Sequence, residues 1–476
     1  MKHGPLAGVC CALSALIVGA SGCRSVGPDY RGPPPSAVVN SPAVRGAFLS
    51  ATGSAFSPGP VPKGWWRLYD SAALDALVEE ALATNTDLRQ ARANLQLSAA
   101  LLQAARVQRL PSVEVNLDPS YQQLSAESYL YPGSLSPSGL YDTGVSVSYE
   151  VDLFGRLRRA VEAAGADDEA VKAAYELAQV TTAAEVARAY AEVCNAGEQL
   201  SVANHSVQLQ WQSATVTRHL VEAGYASRLD LTRSSGLLAQ IRANIPRLEA
   251  ERTNALYRLA ALTGRPPAQY PRSVQSCSTA PRLLEPLAVS DVTGLLRRRP
   301  DVREAERLLA GATARIGVAT ADLYPRIVLG LSVGSTGALT NFLASRSDRY
   351  GAGLGIHWQA NQSAARARIA AADARARRAL AQFDGVVLVA LRDTEIALST
   401  YSRDLQRDGD LSAAQARAAE AQEEAERLYR GGKIDFLSLL DAQRTRDATD
   451  EALAASHARL ATDQVTIFLA LGGGWQ

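Results

Sequence analysis

Residues 143–159 read TGVSVSYEVDLFGRLRR, and within them the hydrophobic pattern changes from one period to another. Up to Asp152 apolar and polar residues alternate, which indicates a β-strand with one apolar and one polar face. From Arg156 to Glu222 the chain contains no proline and is rich in alanine, arginine and glutamate. This composition favours one helix, which at ~1.5 Å per residue would be roughly 100 Å long. The sequence therefore predicts an amphipathic strand that leads directly into a helix too long for an ordinary globular domain.

The chain repeats this arrangement at an offset of about 210 residues. Four pairs of segments match in the same order: 109–121 with 323–335, 144–154 with 351–361, 219–231 with 427–439, and 262–267 with 471–476. Two copies of one unit are indicated, because a solenoid would show more copies at a shorter period. Each copy predicts a helix, two strands, a very long helix, a glycine-containing turn and a returning helix. Pro246 is expected to kink the returning helix of the first copy.

Four strands are predicted, at roughly 110–120, 143–153, 326–335 and 350–359, each near the ~9–11 residues of a tilted transmembrane strand. Four strands cannot close a membrane barrel, because the smallest bacterial barrels have about eight strands and open sheet edges are not tolerated in hydrocarbon. Several chains must therefore share one barrel if these strands enter a membrane. An ordinary soluble β-sandwich is the alternative explanation of the alternation.

The first 22 residues predict a secretory signal peptide. Lys2 and His3 precede an apolar run that is too short for a permanent transmembrane helix. The small residues directly before Cys23 resemble a bacterial lipobox, so Cys23 is predicted to be lipid-modified and to become the mature N-terminus. Arg24 follows in place of the aspartate that resembles an inner-membrane retention signal, which favours the outer membrane. Ordinary signal cleavage with an incidental cysteine is the alternative.

Composition argues against several other classes of function. The 49 basic and 48 acidic residues leave a net charge of +1, which makes no electrostatic case for a nucleic-acid partner. The five histidines lack metal-ligand or catalytic spacing: His3, His205, His219, His357 and His457. No enzyme, cofactor or metal site is therefore predicted. Cys194 and Cys277 are interpreted as buried free cysteines, although export would permit a bridge between them.

Six segments of the chain carry a family resemblance: CRSVGPDYRGP after the signal, WWRLYDSAALDALVEEAL at 65–82, YEVDLFGRLRRAVEAA at 149–164, the stretch 296–327, the stretch 428–454 and the closing LALGGGW. Together they resemble the TolC-type outer-membrane factors, specifically the NodT/OprM-like lipoproteins of multidrug efflux systems. The resemblance implies an α+β membrane protein, built from an internally repeated β-β-α-α unit, that assembles as a homotrimer. It implies a twelve-stranded outer-membrane β-barrel that continues into a twelve-helix periplasmic α-barrel, with a mixed equatorial domain.

On this resemblance the protein is a passive conduit that exports drugs or other small solutes. A periplasmic adaptor (a membrane fusion protein) and an inner-membrane pump of the resistance-nodulation-division type would deliver the cargo, and outer-membrane lipid would surround the barrel. The chain would divide into a signal peptide (1–22), a lipidated extended segment (23–70), a first outer-membrane efflux repeat (71–264), an equatorial connector (265–299) and a second repeat (300–476). A lipid-anchored periplasmic coiled-coil scaffold or adaptor is the alternative, although it needs neither amphipathic strands nor a twofold repeat.

The turns between the long helices, at 221–231 and 428–441, are the expected periplasmic tips that close the tube and contact the adaptor. Glycines in both turns would permit the backbone conformations of a tight interhelical connection. The residues expected to form these tips are Gly224, Leu229, Gly431 and Gly432.

On the family pattern Leu437 and Asp441, one helical turn apart, project into the tunnel entrance. Threefold symmetry would turn them into an apolar plug and an acidic collar that attracts cations. Ser438 stands where such proteins often carry a further acidic residue, so a weaker cation block is expected. Tyr429 and Asp230 resemble the family's latch, in which a tyrosine hydroxyl bonds an aspartate across neighbouring hairpins. Alternatively, Leu437 packs in an ordinary coiled coil and Asp441 is a solvated charge. Tyr429 and Asp230 would then be unrelated surface residues.

One departure from the family pattern lies at the second strand-to-helix junction. The first copy keeps DLFGRLR at 152–158, whereas the second reads HWQANQSAARAR at 357–368, without a glycine pair. The junction at 357–363 is therefore expected to bend differently.

Overall fold

The computed structural model describes residues 25–32, 36, 38–44, 46–279, 281–283 and 285–473. The α-helices of these residues are α1 (Ala72–Thr84), α2 (Thr86–Val107), α3 (Arg156–Glu222), α4 (Arg228–Arg242), α5 (Asn244–Leu262), α6 (Val292–Arg298), α7 (Pro300–Ala321), α8 (Ser363–Arg430) and α9 (Phe436–Ala470). The strands are β1 (Phe56–Pro58), β2 (Ser112–Gln122), β3 (Ser138–Val151), β4 (Leu287–Val289), β5 (Arg326–Ala338) and β6 (Asp348–His357). In this described part of the chain, no helix combines the length and the apolar character needed to cross a membrane.

The chain divides into two compact units. The first contains the residues up to Ser36 together with Leu95–Val171 and Glu304–Phe383. The second contains Ala37–Asn94, Lys172–Arg303 and Asp384–Gln476. The helices α2, α3, α7 and α8 contribute residues to both units.

The very long helices have the expected extent. Helix α3 contains 67 residues and its counterpart α8 contains 68. The returning helix of the first copy is divided into α4 and α5 at Ala243, three residues before Pro246. The returning helix of the second copy, α9, is continuous over 35 residues. The predicted interruption at Pro246 is confirmed, because proline lacks the N–H that would continue the helix and its ring clashes with the preceding turn.

The first unit contains a four-stranded antiparallel sheet in the order β2-β3-β5-β6. Its central pair, β3 and β5, joins one strand from each copy of the repeat. The register places residues of like polarity side by side: Val145 lies opposite Val115 and Val333, and Val333 lies opposite Tyr350. A slip of one residue would exchange the two faces, so this register follows from the alternation in the sequence. The four strands are confirmed, and β3 begins five residues earlier than expected.

A carboxylate caps the long helix at the first strand-to-helix junction. Asp152 accepts hydrogen bonds from the backbone N–H groups of Leu157 at 3.0 Å and Arg158 at 2.8 Å. These bonds satisfy donors that the first turn of a helix leaves without a partner. Gly155 has a φ of +80°, a conformation that glycine adopts without strain. The DLFGR stretch therefore forms a defined turn from strand into helix.

The second junction is built differently, in agreement with its sequence. Five residues separate β6 from α8. Ser363, the first residue of α8, donates from its N–H and its hydroxyl to Asn361, at 3.1 and 2.7 Å. Trp358 and Gln362 both donate to the carbonyl oxygen of Leu323, at 3.1 and 3.3 Å. The side-chain amide of Asn361 is the acceptor at the start of this helix, where the first copy uses the carboxylate of Asp152. The indole of Trp358 holds the turn, where the first copy has Gly155.

The second unit has an apolar core around Trp65, which is buried and stacks on Phe468 with ring centroids 4.6 Å apart. Helices α1, α3, α5, α6, α8 and α9 all contribute buried side chains to this core. Strands β1 and β4 pair in parallel and join the N-terminal segment to the connector between the repeats. The sequence does not predict these strands, because three residues are too few to show a period.

The connector is also joined covalently to helix α3. Cys194 and Cys277, 83 residues apart in the sequence, form a disulfide bond with their Cα atoms 4.7 Å apart. The interpretation of these residues as free cysteines is therefore wrong, because the fold brings the connector onto the buried face of the helix. Gly197, one turn after Cys194, leaves no room for a side chain: a Cβ there would overlap the carbonyl oxygen of Cys277.

Candidate functional site

The sheet of the first unit has one continuous apolar face. Nine large side chains on this face are more than half exposed within one chain: Val113, Val115, Leu117, Tyr121, Leu331, Val333, Tyr350, Leu354 and Ile356. They share a face because residues two apart in a strand point the same way and the register aligns the strands. An exposed apolar surface of this extent marks a contact with lipid or with another protein.

The opposite face of the sheet is polar and carries many small residues. Its positions include Ser112, Glu114, Asn116, Asp118, Asp142, Gly144, Ser146, Ser148, Gly330, Ser332, Gly334, Arg349, Gly351, Gly353 and Gly355. Arg349 donates to Asp142 at 2.5 Å and to Thr336 at 2.8 Å, which links three strands. Small and charged side chains opposite an apolar face are typical of the lining of a water-filled passage.

The two turns between the long helices share one local structure. Gly224 and Gly432 have φ values of +80° and +66°. In each turn the N–H of the residue after the glycine donates to a carbonyl oxygen five residues earlier, at 2.8 Å in the first turn and 2.9 Å in the second. Such a bond ends a helix around a left-handed residue. Gly431 lacks a positive φ, so the expectation that glycine permits the backbone conformation of the turn holds for Gly224 and Gly432 only.

Each returning helix begins with a polar cap at the same position of the repeat. Ser227 and Asp230 form a capping box, in which each side chain accepts the backbone N–H of the other at 3.2 Å. Asp435 accepts the N–H of Ser438 at 2.9 Å at the start of α9. Sequence reasoning missed both caps. A serine or aspartate directly before a predicted helix is a known N-cap signal, and in the first turn an acidic residue follows three positions later.

The predicted gate residues Leu437 and Asp441, and Leu229 of the predicted tips, are exposed within one chain. Leu229 and Leu437 are the second residues of α4 and α9, and they are 55% and 52% exposed. Asp441, one turn after Leu437, is also exposed, whereas Leu439 and Leu440 are buried. Packing inside a single chain therefore leaves Leu437 and Asp441 free to contact other molecules. Their role in a gate stays a prediction.

Tyr429 and Asp230 lie within electrostatic range of each other in one chain. The Tyr429 ring meets Phe436 edge-on, with centroids 5.8 Å apart. Burial raises the pKa of Tyr429 above its ordinary value, and the negative charge of Asp230 raises it further. The Asp230 carboxylate accepts the hydroxyl of Ser227 at 2.8 Å. The latch between neighbouring hairpins stays a prediction.

A small apolar core and a polar cavity lie next to Tyr429. The core consists of Leu237, Ile241, Phe436 and Leu440. The cavity, of about 110 Å³, is lined by α3, α8 and α9, and most of the residues around it are of polar type, among them Gln210, Gln443 and Tyr429 itself. A polar cavity of this size accommodates water. Tyr429 therefore borders both the cavity and the small apolar core, against which its ring packs.

The described residues contain no group of three or more histidine, cysteine, aspartate or glutamate side chains that could hold a metal ion. His457 instead takes part in helix packing, with its Nδ1 atom 2.7 Å from Glu198. Cys23, the predicted lipidation site, lies outside the described residues.

Comparison with known proteins gives concordant matches over nearly the whole chain. The family model described as "Outer membrane efflux protein" matches residues 77–265 and 293–473. The chain is 32% identical to the pyoverdine export outer membrane protein OpmQ of Pseudomonas putida, over 93% of this chain and 94% of that protein. It is 29% identical to the outer membrane protein OprJ of Pseudomonas aeruginosa, over 99% of this chain and 96% of that protein.

Solved structures show the same fold. The outer-membrane channel OprN superposes with a TM-score of 0.88 and 34% identity, over 94% of this chain and 99% of that chain. The open state of the MtrE outer membrane channel of Neisseria gonorrhoeae superposes with a TM-score of 0.81 and 25% identity, over 95% and 99% of the two chains.

The fold and the two-faced sheet define an outer-membrane channel protein. The chain belongs to the outer membrane efflux protein family, because the family model covers most of its length and relatives match it from end to end. The family that the sequence motifs resemble is thereby confirmed. Members of this family are outer membrane efflux proteins, and the matching structures are outer-membrane channels, not enzymes.

Proposed function

We propose that three copies of this chain form the outer-membrane conduit of a tripartite efflux system. The sheet carries this proposal, because it is apolar on one face, polar on the other and open at both edges. Strands β2 and β6, of 11 and 10 residues, each pair on one side only within the described part of the chain. Lipid cannot satisfy the N–H and C=O groups of an open edge. Pairing β2 of one copy with β6 of the next removes these edges.

Three such sheets give a barrel of twelve strands, within the range of bacterial outer-membrane barrels. The apolar face then contacts lipid, and the polar face lines the passage. The helices α3 and α8, which follow β3 and β6 along the chain, would continue the passage as a twelve-helix periplasmic barrel with the other helices. The segments around β1 and β4 would form the mixed equatorial domain. The division into 23–70, 71–264, 265–299 and 300–476, and the lipid on Cys23, belong to this proposal.

The conduit would be passive and would receive its cargo from partners. Relatives carry names such as antibiotic efflux pump outer membrane protein ArpC and toluene efflux pump outer membrane protein TtgC, both of Pseudomonas putida. Small solutes of this kind are the cargo class proposed here. A periplasmic adaptor would contact the helical tips around Gly224, Leu229, Gly431 and Gly432, and an inner-membrane pump of the resistance-nodulation-division type would supply the energy.

The gate of the conduit would lie at the tips. Leu437 from three chains would form an apolar plug, and Asp441 an acidic collar. Tyr429 would bond Asp230 of a neighbouring hairpin and hold the tips together until an adaptor competes for them. The exposure of Leu437 and the electrostatic proximity of Tyr429 and Asp230 support this arrangement.

Mass and conductance measurements test the proposed function. We expect the full-length lipidated protein, purified in detergent from outer membranes, to have the mass of a trimer in light scattering. In planar bilayers it should produce discrete conductance steps. A stable monomer that inserts no pores would contradict the conduit and would favour a periplasmic scaffold.

A further inference from the structure

The loop that joins β5 to β6, residues 339–347, has no role in the conduit proposed above. It belongs to the first unit and is ordered by two short turns, Leu339–Asn341 and Ser345–Ser347. Leu343, between these turns, has a φ of +56°. A residue with a side chain keeps this conformation only where its surroundings fix it. Contacts with the rest of the unit must therefore hold the loop in place.

The hydroxyl of Tyr141 on β3 fastens the loop. It accepts the N–H of Leu343 at 2.9 Å and donates to the carbonyl oxygen of Asn341 at 3.2 Å. The Ser335 hydroxyl lies 2.7 Å away and is the donor of that bond, because a tyrosine hydroxyl has only one hydrogen to give. Tyr141 is 2% exposed. Its hydroxyl would lose two of these three partners if the loop moved away.

The loop lies on the apolar face of the sheet. Tyr141 is four residues before Val145 on β3, so both side chains point to that face. The ring of Phe342 packs against the ring of Tyr141, with centroids 4.8 Å apart. The loop therefore folds back over the apolar face and not over the polar one.

Two glycines leave room for the loop. Gly139 is two residues before Tyr141, and Gly337 lies opposite Tyr141 on β5, so both glycines belong to the same face. A Cβ on Gly139 would lie 2.6 Å from the side chain of Leu339. A Cβ on Gly337 would lie 2.9 Å from the Ser347 hydroxyl oxygen. The strands thus lack side chains at the positions that the loop covers.

The surface that the loop itself presents is apolar. Leu339, Phe342 and Leu343 are 46%, 51% and 60% exposed. The contacts of the loop are with β3 and β5, the central strands of the sheet, whereas a neighbouring chain of the proposed barrel would join at β2 and β6. An exposed apolar surface on the lipid-facing side, away from both edges, is suited to lipid and not to a second copy of the chain.

We propose that residues 339–347 form an outward-folded flap, held by Tyr141, which extends the apolar face of the sheet and contacts the hydrocarbon of the outer leaflet. The opposite end of β6 leads into α8, so the flap lies at the end of the sheet remote from the periplasmic helices. While it is fastened there, it does not cover the mouth of the passage. This inference rests on the proposed function, since the apolar face contacts lipid only if the sheet spans the membrane.

Hydrogen exchange on the purified full-length assembly tests the fastening. Tyr141→Phe keeps the ring and removes the hydroxyl, and we expect it to accelerate exchange of the Leu343 amide at least about tenfold. Tyr350→Phe, at an exposed position of the same face, should leave that amide unchanged. Phe342→Ala, which removes the ring contact from the loop side, should also accelerate it. Unchanged exchange in Tyr141→Phe and Phe342→Ala, or equal acceleration by Tyr350→Phe, would overturn the fastening.

Spin labelling tests the partner of the flap. Val333 and Ser332, neighbours on β5, lie on the apolar and the polar face and supply matched references. Nitroxide labels at Phe342→Cys, Val333→Cys and Ser332→Cys would be compared in phosphatidylethanolamine–phosphatidylglycerol vesicles, with the parent protein as control for labelling elsewhere. Collisions with oxygen report hydrocarbon, and collisions with a nickel chelate report water. We expect the label at 342 to favour oxygen, as the label at 333 does, and the label at 332 to favour the chelate.

Three outcomes would contradict this. If the label at 342 behaves like the label at 332 while the label at 333 meets lipid, the loop faces water and the flap is overturned. If the label at 342 is reached by neither reagent, protein covers the loop and the lipid contact is overturned. If the label at 333 itself meets only water, the proposed function fails and the lipid contact fails with it, whereas hydrogen exchange still decides the fastening.

Discussion

Two glycines on the long helices have opposite surroundings. Gly197 on α3 faces the connector, where a Cβ would overlap the carbonyl oxygen of Cys277. Gly409 on α8 is exposed, and a Cβ there meets nothing within 4 Å. Glycine in a helix lowers stability by about 0.5–1 kcal/mol relative to alanine, and at Gly409 no close contact offsets this loss. At Gly197 the close approach of the connector outweighs that cost.

Alanine should therefore have opposite effects at the two positions. We expect Gly409→Ala to stabilise the fold by about 0.5–1 kcal/mol. Gly197→Ala should destabilise it and hinder the bond between Cys194 and Cys277. Thermal unfolding measures the first effect, and maleimide labelling of free thiols measures the second. A Gly197→Ala protein that is fully disulfide-bonded and as stable as the parent would show that the connector does not require this glycine.

A half-buried carboxyl group in the second unit, that of Asp463, gives a dependence on pH. Burial raises the pKa of Asp463 to about 7, assisted by a hydrogen bond with Asp404, while Arg459 opposes the rise. A raised pKa in the folded state means that the protonated form stabilises the fold. This stabilisation is complete below the unfolded pKa near 4 and is lost as the pH rises through about 7.

We expect Asp463→Asn to remove this dependence. The variant should be more stable than the parent at pH 8, by about 1–2 kcal/mol per chain after allowance for partial solvent screening. At pH 4 the two proteins should be alike, because the parent is then protonated. Unfolding midpoints in urea at both pH values measure this, with the exposed Asp410→Asn as control. A gain at pH 4 equal to that at pH 8 would contradict the titration of Asp463.

Not every residue-level feature could be read from the sequence. The caps at Ser227 and Asp435 follow from spacing alone, because they act over three residues. The disulfide could not be predicted, since Cys194 and Cys277 are 83 residues apart and only the fold brings them together. The wrong expectation of free cysteines shows that pairing over this distance is decided by tertiary structure.

At the scale of elements, the strands β2, β3, β5 and β6 show the clearest agreement between sequence and structure. Their alternation fixes both faces and the register, because a slip of one residue would bury charge in the apolar face. The nine large side chains of that face stay more than half exposed in the described part of the chain. Leu331 and Ser332, neighbours at the middle of β5, lie on opposite faces and permit a matched comparison.

We expect Leu331→Lys to prevent insertion, at a cost of about 2–4 kcal/mol per chain if the residue faces the middle of the bilayer. Ser332→Lys should insert and assemble, because the polar face admits charge, and should change the conductance of the pore. Outer-membrane fractionation measures insertion, and planar bilayers measure conductance. If both lysines are tolerated equally in the membrane fraction, the apolar face does not contact lipid.

The helical tips allow the latch to be separated from the helix cap. Tyr429→Phe removes only a hydroxyl, and we expect it to raise single-channel conductance, because a hydrogen bond to a charged group contributes about 1.5–3 kcal/mol. Ser227→Ala breaks the capping box of Asp230 but leaves Tyr429 intact, and it should raise conductance less. Planar-bilayer recordings compare the two. Unchanged conductance in Tyr429→Phe would remove the latch, and equal increases would assign the effect to the cap.

The short elements of the connector could not be predicted. Strands β1 and β4 contain three residues each, and neither carries a periodic signal. Their pairing depends on the connector lying across the core, where Gln464 accepts the N–H of Leu283 at 3.1 Å and donates to its carbonyl oxygen at 3.1 Å. Such contacts depend on the completed fold and leave no local pattern in the sequence.

At the scale of the whole molecule, the repeat explains why the proposed barrel needs more than one chain. Two copies of a strand-strand-helix-helix unit give a sheet of four strands, whose outer edges belong to β2 and β6. The internal repeat and the strand count could be derived from the sequence, and they require several chains if the strands enter a membrane. The number of chains could not, because nothing within one chain fixes the rotation between neighbours.

Cross-linking between the two sheet edges tests the central claim most directly. Single cysteines at 114, 116 or 118 of β2 would be combined in one chain with single cysteines at 351, 353 or 355 of β6, and the purified protein would be oxidised. The account predicts that at least one combination gives covalent dimers and closed trimers, and no larger species, on non-reducing gels. Exclusively monomeric bands from folded, membrane-inserted variants of every combination would contradict the shared barrel.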